Sequence, residues 1–219
     1  MISRQILKFK VKLCGLKDKD SIIAASNADY IGFVFYQKSP RFINAIEAKK
    51  LKKFVNSNQK LVGLFVNADI NLVSHITEDI KLDIIQLHGN EDINYIKKVK
   101  KLNKPIIKAI SVKDCNDINY SKEFESFCDM ILFDTKSNLN ISGGSGISFN
   151  WNLLRNYEPK KEWILAGGLN IKNISKALRI TRAPIIDVSS GIEKSRGVKC
   201  IYKIKKFMKF VKEYGEKEN

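Results

Sequence analysis

The stretch "VKLCGL", residues 11–16, sets a thiol where an apolar run meets a glycine. A cysteine so placed fits a small core residue, a redox thiol, a metal ligand or a general base. None of Cys14, Cys115, Cys128 and Cys200 forms a C-x-x-C pair, and His75 and His88 fall near none of them. Zinc and redox readings of Cys14 therefore lose their support, and no metal is expected. Other polar groups stand at the same kind of boundary: "QKSPRF" (37–42), Asn67, Gln86 with His88, Lys108 with Ser111, Asp134, and Asp187 in "DVSSG". Taken one at a time, each has a bland alternative, since a lone cysteine packs in cores and a lone aspartate caps helices. Their shared position at the ends of apolar runs favours chemistry. Two further segments suit an anion. In "AGGLN" (166–170), Gly167 and Gly168 let backbone N–H groups approach a phosphate without Cβ interference, and in "VSSGI" (188–192), Ser189 and Ser190 add hydroxyl donors beside Gly191. The competing reading is a pair of tight turns that need glycine for geometry alone.

The elements that would position these groups are legible from hydrophobic patterning. Eight short runs rich in Ile, Val, Leu and Phe begin near residues 9, 30, 61, 83, 105, 130, 163 and 185. Runs this continuous fit strands buried on both faces. Between them lie stretches of helical spacing: "SIIAASNA", "AIEAKKLKKFV", "INLVSHITEDI", "INYIKKVKKL", "SKEFESFC", "WNLLRNY", "IKNISKALRI" and, last, "IYKIKKFMKFVKEY". Eightfold alternation predicts parallel βα units closed into a (β/α)₈ TIM barrel, one domain over residues 1–219. An open doubly wound sheet would show a G-x-G-x-x-G turn after its first strand, and "CGLKDKD" supplies none. In a barrel the chemistry lies at the C-terminal ends of the strands, and phosphate sites form after strands seven and eight, where the two glycine–serine segments fall. A third glycine-rich stretch, "SGGSGISFNW" (142–151), lacks P-loop spacing and reads as a loop over the site; its Gly144 joins the phosphate-binding candidates.

Composition narrows the class. The chain has 219 residues, 44% of them apolar, which suits a packed core, and no apolar run spans a bilayer. The N-terminus lacks the pattern of a secretory signal, so a cytoplasmic protein with reduced thiols is expected. The formal net charge is +16, but the lysines are scattered. The short clusters "AKKLKKF" and "YIKKVKK" sit in amphipathic helical stretches whose charged side faces solvent, so neither nucleic acid nor membrane is the expected partner.

These motifs, in order, resemble those of the phosphoribosylanthranilate isomerase family: "KLCGL", "YIGFVFYQKSPRFI", "VGLFVN", "IIQLHGNE", "LFDT", "GGSGISFNW", "LAGGLN" and "DVSSGIE…GVK". The combination of "GFVFYQKSPR", "QLHG" and "DVSSGIE" carries the resemblance. It implies a cofactor-free Amadori rearrangement of N-(5-phosphoribosyl)anthranilate in tryptophan biosynthesis, by a monomer or homodimer acting on a small molecule. It further implies Asp134 as the acid at the ring oxygen, Cys14 as the base at C2′ and Arg41 as the clamp on the anthranilate carboxylate; His88 and Asp187, at their strand ends, are further candidates for substrate contact. A planar guanidinium suits a carboxylate better than an ammonium does. The chemistry requires a deprotonated thiol and a protonated carboxyl, so the two environments are expected to push their pKa values toward each other. Gly15 is expected to leave room for substrate beside Cys14. Two positions depart from the family pattern, Lys17 where threonine is usual and Ile147 where lysine or glutamine is common. The alternative is another phosphate-binding barrel enzyme, an indole-pathway lyase or synthase or a sugar-phosphate epimerase.

Overall fold

The computed structural model describes residues 9–135 and 148–217. Eight parallel strands close into a barrel in sequence order: β1 (Lys10–Cys14), β2 (Tyr30–Val34), β3 (Lys60–Phe65), β4 (Ile84–Leu87), β5 (Ile106–Val112), β6 (Met130–Thr135), β7 (Glu162–Leu165) and β8 (Ile185–Val188). Closure comes from β1 pairing with β8, with Val11 opposite Ile186 and Leu13 opposite Val188. The expected (β/α)₈ barrel is thus the architecture of the chain.

Alternation along each strand separates two cores. Tyr30, Val62, Ile84, Ile107, Leu132, Ile164 and Ile185 point inward and fill the barrel. Val11, Leu13, Ile31, Phe33, Phe133 and Ile186 point outward, into the layer shared with the helices. The same alternation aims Lys12 and Cys14 inward on β1, and Asp187 inward on β8, one residue out of phase with their apolar neighbours.

The helices α1 (Lys19–Ala24), α2 (Ala45–Leu51), α3 (Ile70–Ile80), α4 (Ile93–Lys100) and α5 (Cys115–Ser121) each start at an Asp or Asn. Asp18, Asn44, Asp69, Asp92 and Asp114 accept a backbone N–H of the first turn. Such caps satisfy donors that would otherwise be orphaned at the helix start. After β7 comes α6 (Ile174–Thr181). After β8 come a 3₁₀ turn (Ser190–Ile192), a small hairpin of β9 (Glu193–Ser195) and β10 (Val198–Lys199), and α7 (Ile201–Lys217).

Two expected helices differ. Of the segment 121–128 only Ser121 is helical and turns follow it, because the helix starts earlier, where Asp114 and Asp117 form a capping box. "WNLLRNY" forms one 3₁₀ turn, Trp151–Leu154. The outer face of β6 and β7 is covered instead by a cluster of edge-on rings: Phe133, Tyr157 and Trp163, with centroids 5.0–5.9 Å apart.

At the N-terminal rim, an aspartate just ahead of β2, β4 and β6 holds one of the first residues of the strand before it. Asp29 accepts from Val11 N–H at 2.7 Å, Asp83 from Leu61 N–H at 2.8 Å, and Asp129 from Ile106 N–H at 2.8 Å. These bonds lock register between β1 and β2, β3 and β4, and β5 and β6.

Candidate active site

The C-terminal rim opens into a cavity lined by Cys14, Arg41, His88, Asp134, Asp187 and the turns at Gly167–Leu169 and Ser189–Ser190, with Val34, Tyr36, Leu64 and Val66 as its apolar side. The groups expected at Cys14, Arg41, His88, Asp134 and Asp187 therefore converge. Cys14 is the last residue of β1 and Asp134 the last but one of β6, with β7 and β8 between these strands.

On the Asp134 side, Oδ1 accepts from Thr135 N–H at 2.7 Å and Oδ2 lies 3.2 Å from His88 Nε2. The other imidazole nitrogen, Nδ1, is 2.9 Å from the Gln86 side-chain amide. As Gln86 and His88 are two apart, strand alternation places both on the inner face of β4.

The Cys14 side is ionic. Two residues earlier on the same inner face, the Lys12 ammonium is wholly buried and donates to Asp187 Oδ2 at 2.7 Å. The other carboxylate oxygen, Asp187 Oδ1, is buried without a hydrogen-bond partner, an acceptor at the cavity wall awaiting a donor. Burial opposes the charge on Lys12, but Asp187 and the Cys14 thiol outweigh it and hold the ammonium above its ordinary range. Burial also pushes the Cys14 thiol above its ordinary value; the Lys12 ammonium pulls it back, Asp187 pushes it up again, and Lys199 pulls it back less. The net push on the thiol is upward, opposite to the expected depression, because the closed barrel strips water from the sulfur.

Arg41 enters from the loop after β2. Its backbone N–H donates to Ser39 Oγ at 3.1 Å, and its side chain is almost fully buried. The Nε–Nη2 edge of the guanidinium grips Glu193, leaving the Nη1–Nη2 edge for a ligand. Gly15 adopts φ +75°, and a Cβ there would lie 2.7 Å from Arg41 Cδ. The missing side chain makes room for Arg41 rather than for substrate.

Gly167 and Gly168 both have positive φ, and a Cβ on Gly167 would collide with Thr135 Oγ1. The Gly168 carbonyl turns back to accept from Asn170 and Asn173 side-chain amides, each at 3.0 Å. The Leu169 N–H, in the same planar peptide, points the opposite way. Ser189 differs from expectation: its hydroxyl donates to the Cys14 carbonyl at 3.0 Å and accepts from Lys199 at 3.1 Å, so it holds loops together. Gly191 is packed behind the cavity against the Leu169 carbonyl. Gly144 and Ile147 lie outside the described residues. Lys17 reaches across to the Pro40 carbonyl at 3.0 Å, beside Arg41.

Some strand-end groups stay out of the cavity. Lys108 points outward and donates to Glu91 at 2.8 Å and to the Gly89 carbonyl at 2.6 Å. Asn67 accepts from Asn90 N–H. Both secure the loop that carries His88. Cys128 is a core thiol, pushed up to about 12 by burial.

Lys12, Glu193 and Lys199 were not apparent as site residues from sequence. The one available signal was Lys12 itself, two residues before Cys14 and hence on its face. Among the described residues, no group of three or more His, Cys, Asp or Glu converges as a metal would need, and no helix is long and apolar enough to cross a membrane.

Residues 11–210 match the family model described as N-(5'phosphoribosyl)anthranilate (PRA) isomerase. The chain belongs to this family. A curated family member from Paracoccus denitrificans is 39% identical over 203 residues, covering 90% of this chain and 94% of its own length. A Thermotoga maritima phosphoribosyl anthranilate isomerase structure superposes with TM-score 0.85 at 32% identity, covering 94% of this chain and 99% of that one. A family structure in complex with reduced 1-(o-carboxyphenylamino)-1-deoxyribulose 5-phosphate superposes with TM-score 0.83 at 31% identity and the same coverage.

Proposed function

We propose that the chain catalyses the Amadori rearrangement of N-(5-phosphoribosyl)anthranilate to 1-(2-carboxyphenylamino)-1-deoxyribulose 5-phosphate in tryptophan biosynthesis, with Asp134 as general acid and Cys14 as general base. The observation that carries the residue assignment is the convergence of these two inward-facing groups on one cavity, in a chain of this family. Asp134 donates a proton to the furanose oxygen as the C1′–O bond breaks, leaving a protonated imine. The positive imine acidifies the C2′ proton, which passes to Cys14. The resulting enaminol tautomerises to the aminoketose. The same positive charge joins Lys12 and Lys199 in favouring thiolate and opposes the upward push of burial.

The remaining groups hold the two ends of the substrate. The open guanidinium edge of Arg41 takes the anthranilate carboxylate, and the turns at Gly167–Leu169 and Ser190 take the 5-phosphate through backbone N–H groups. The unpartnered Asp187 Oδ1 accepts a ribose hydroxyl. The substrate is a small molecule and the protein acts in the cytoplasm as a monomer or homodimer; a relative from Thermotoga maritima is described as dimeric, with monomers generated from it. The direct test supplies N-(5-phosphoribosyl)anthranilate and follows the loss of anthranilate fluorescence. A folded wild-type protein that leaves the fluorescence unchanged would refute the reading.

A further inference from the structure

The buried cluster around Glu193 joins four parts of the rim. Its Oε1 accepts from Arg41 Nε at 2.6 Å and from Lys199 Nζ at 2.9 Å, while Oε2 accepts from Arg41 Nη2 at 2.9 Å and Gly197 N–H at 3.1 Å. Lys199 Nζ donates onward to the Ser189 carbonyl at 2.9 Å, and the Ser189 hydroxyl donates to the Cys14 carbonyl. One carboxylate from the hairpin after β8 thereby ties the loop after β2 to the turn beside the phosphate loop and to the end of β1.

We propose that Glu193 is the positioning residue for Arg41 and so sets the preference for a carboxylate on the aryl group of the substrate. The proposal rests on the reading of Arg41 as the carboxylate clamp. A guanidinium on a long side chain has several rotamers, and holding it by its Nε–Nη2 edge leaves a single edge aimed at the ligand, with the ordering cost met before binding. Charge supports the same role. Two buried basic side chains, Arg41 and Lys199, share the single Glu193 carboxylate; burial pulls Lys199 below its ordinary range and Glu193 opposes that pull, so an anionic ligand beside Arg41 adds countercharge to the cluster. A lone Arg41–Glu193 pair would be neutral and would attract a carboxylate less. Glu193 works through Arg41 and touches no reacting atom.

The experiment compares KM and kcat for Arg41→Ala, Glu193→Gln and the double variant. Each is measured with N-(5-phosphoribosyl)anthranilate and with the analogue made on aniline, which lacks the carboxylate. For Glu193→Gln the expected result is a KM raised about tenfold for the carboxylated substrate, the scale of one charge-assisted hydrogen bond, with kcat within about threefold of wild type, well under the loss typical of an acid or base. The KM for the aniline analogue stays unchanged, and the double variant is no worse than Arg41→Ala alone. If Glu193→Gln does not fold, Glu193→Asp keeps the charge on a shorter arm and is expected to raise the same KM less. An unchanged KM in the folded variant, an equal rise for both substrates, or additive losses in the double variant would each overturn the positioning role. A KM unmoved by Arg41→Ala would instead overturn the clamp itself.

Discussion

Aspartates stand at both rims of the barrel and do different things. At the N-terminal rim, Asp29, Asp83 and Asp129 are engaged by backbone N–H groups of the neighbouring strand; Asp29 and Asp129 are exposed and Asp83 is half-buried. At the C-terminal rim, Asp134 and Asp187 are more than nine-tenths buried, are held by His88 and Lys12, and line the cavity. One set stabilises register. The other is kept partly unsatisfied, as Asp187 Oδ1 shows. The division follows from strand polarity in a barrel, where one end carries stability and the other chemistry. A buried carboxylate with an open acceptor costs stability and is retained where a ligand completes it.

Substitutions at the two rims should therefore separate turnover from stability. The largest effect is expected at the upper rim. Cys14→Ser replaces the thiol with a far weaker acid, and Asp134→Asn removes the transferable proton. Each should lower kcat by about 10²- to 10⁴-fold with little change in KM. A core-packing role for Cys14 would instead cost melting temperature and leave turnover intact, so both quantities are measured. A variant within about threefold of wild-type turnover would remove its residue from the mechanism, because that is far below the acid–base range.

Lys12→Met tests the ionic side of the site. Without the ammonium the thiol loses its strongest downward pull, so the pH at which the base forms must rise. The base is active when deprotonated. The rise of kcat/KM with pH should accordingly move to higher pH, with about a tenfold loss below that limb for each unit of displacement. The buried Asp187 is left without its cation, which should destabilise the fold by roughly 3–5 kcal/mol. A pH profile that coincides with wild type would show that Lys12 serves only the ion pair.

Glu193 predicts how stability depends on acid. Burial alone would raise its carboxyl, but Arg41 and Lys199 together outweigh burial and hold it below the ordinary carboxylate range. A carboxylate with a depressed folded pKa contributes stability that is fully present above the unfolded value, near 4.5, and is lost as pH falls through the folded value. Melting temperatures of wild type and Glu193→Gln, compared across that acid range, should converge as pH drops. A constant gap between the two curves would contradict the assignment.

The smallest effect is expected at the lower rim. Asp83→Ala removes one bond to Leu61 N–H, worth about 1 kcal/mol. That corresponds to a fall of roughly 2–4 °C in melting temperature for a chain of this size. Turnover at a temperature well below the transition should match wild type. A selective loss of kcat in Asp83→Ala would break the separation between the rims.

The eightfold strand pattern, the two glycine turns and the inward positions of Cys14 and Asp134 were legible because each is a local property. Apolar runs, φ-permissive glycines and alternation within a strand are read from a few adjacent residues. The motifs quoted above also identified the family. The helix after β5 was displaced in the reading because its start depends on a capping box at Asp114 and Asp117, upstream of the apolar positions that drew attention. The pairing of the charged groups in the site was not legible. Lys12 and Asp187 are 175 residues apart, and Arg41 and Glu193 are 152 apart. Lys12 sits two residues before Cys14 and Glu193 closes the motif "DVSSGIE", but neither position names a partner more than 150 residues away. Tertiary structure decided their partners, because closure of β8 onto β1 sets the register that brings Asp187 over Lys12, and the hairpin that follows β8 carries Glu193 back to Arg41. Once the barrel excludes water from these positions, an unpaired charge is far costlier than a paired one, and this cost selects the pairs.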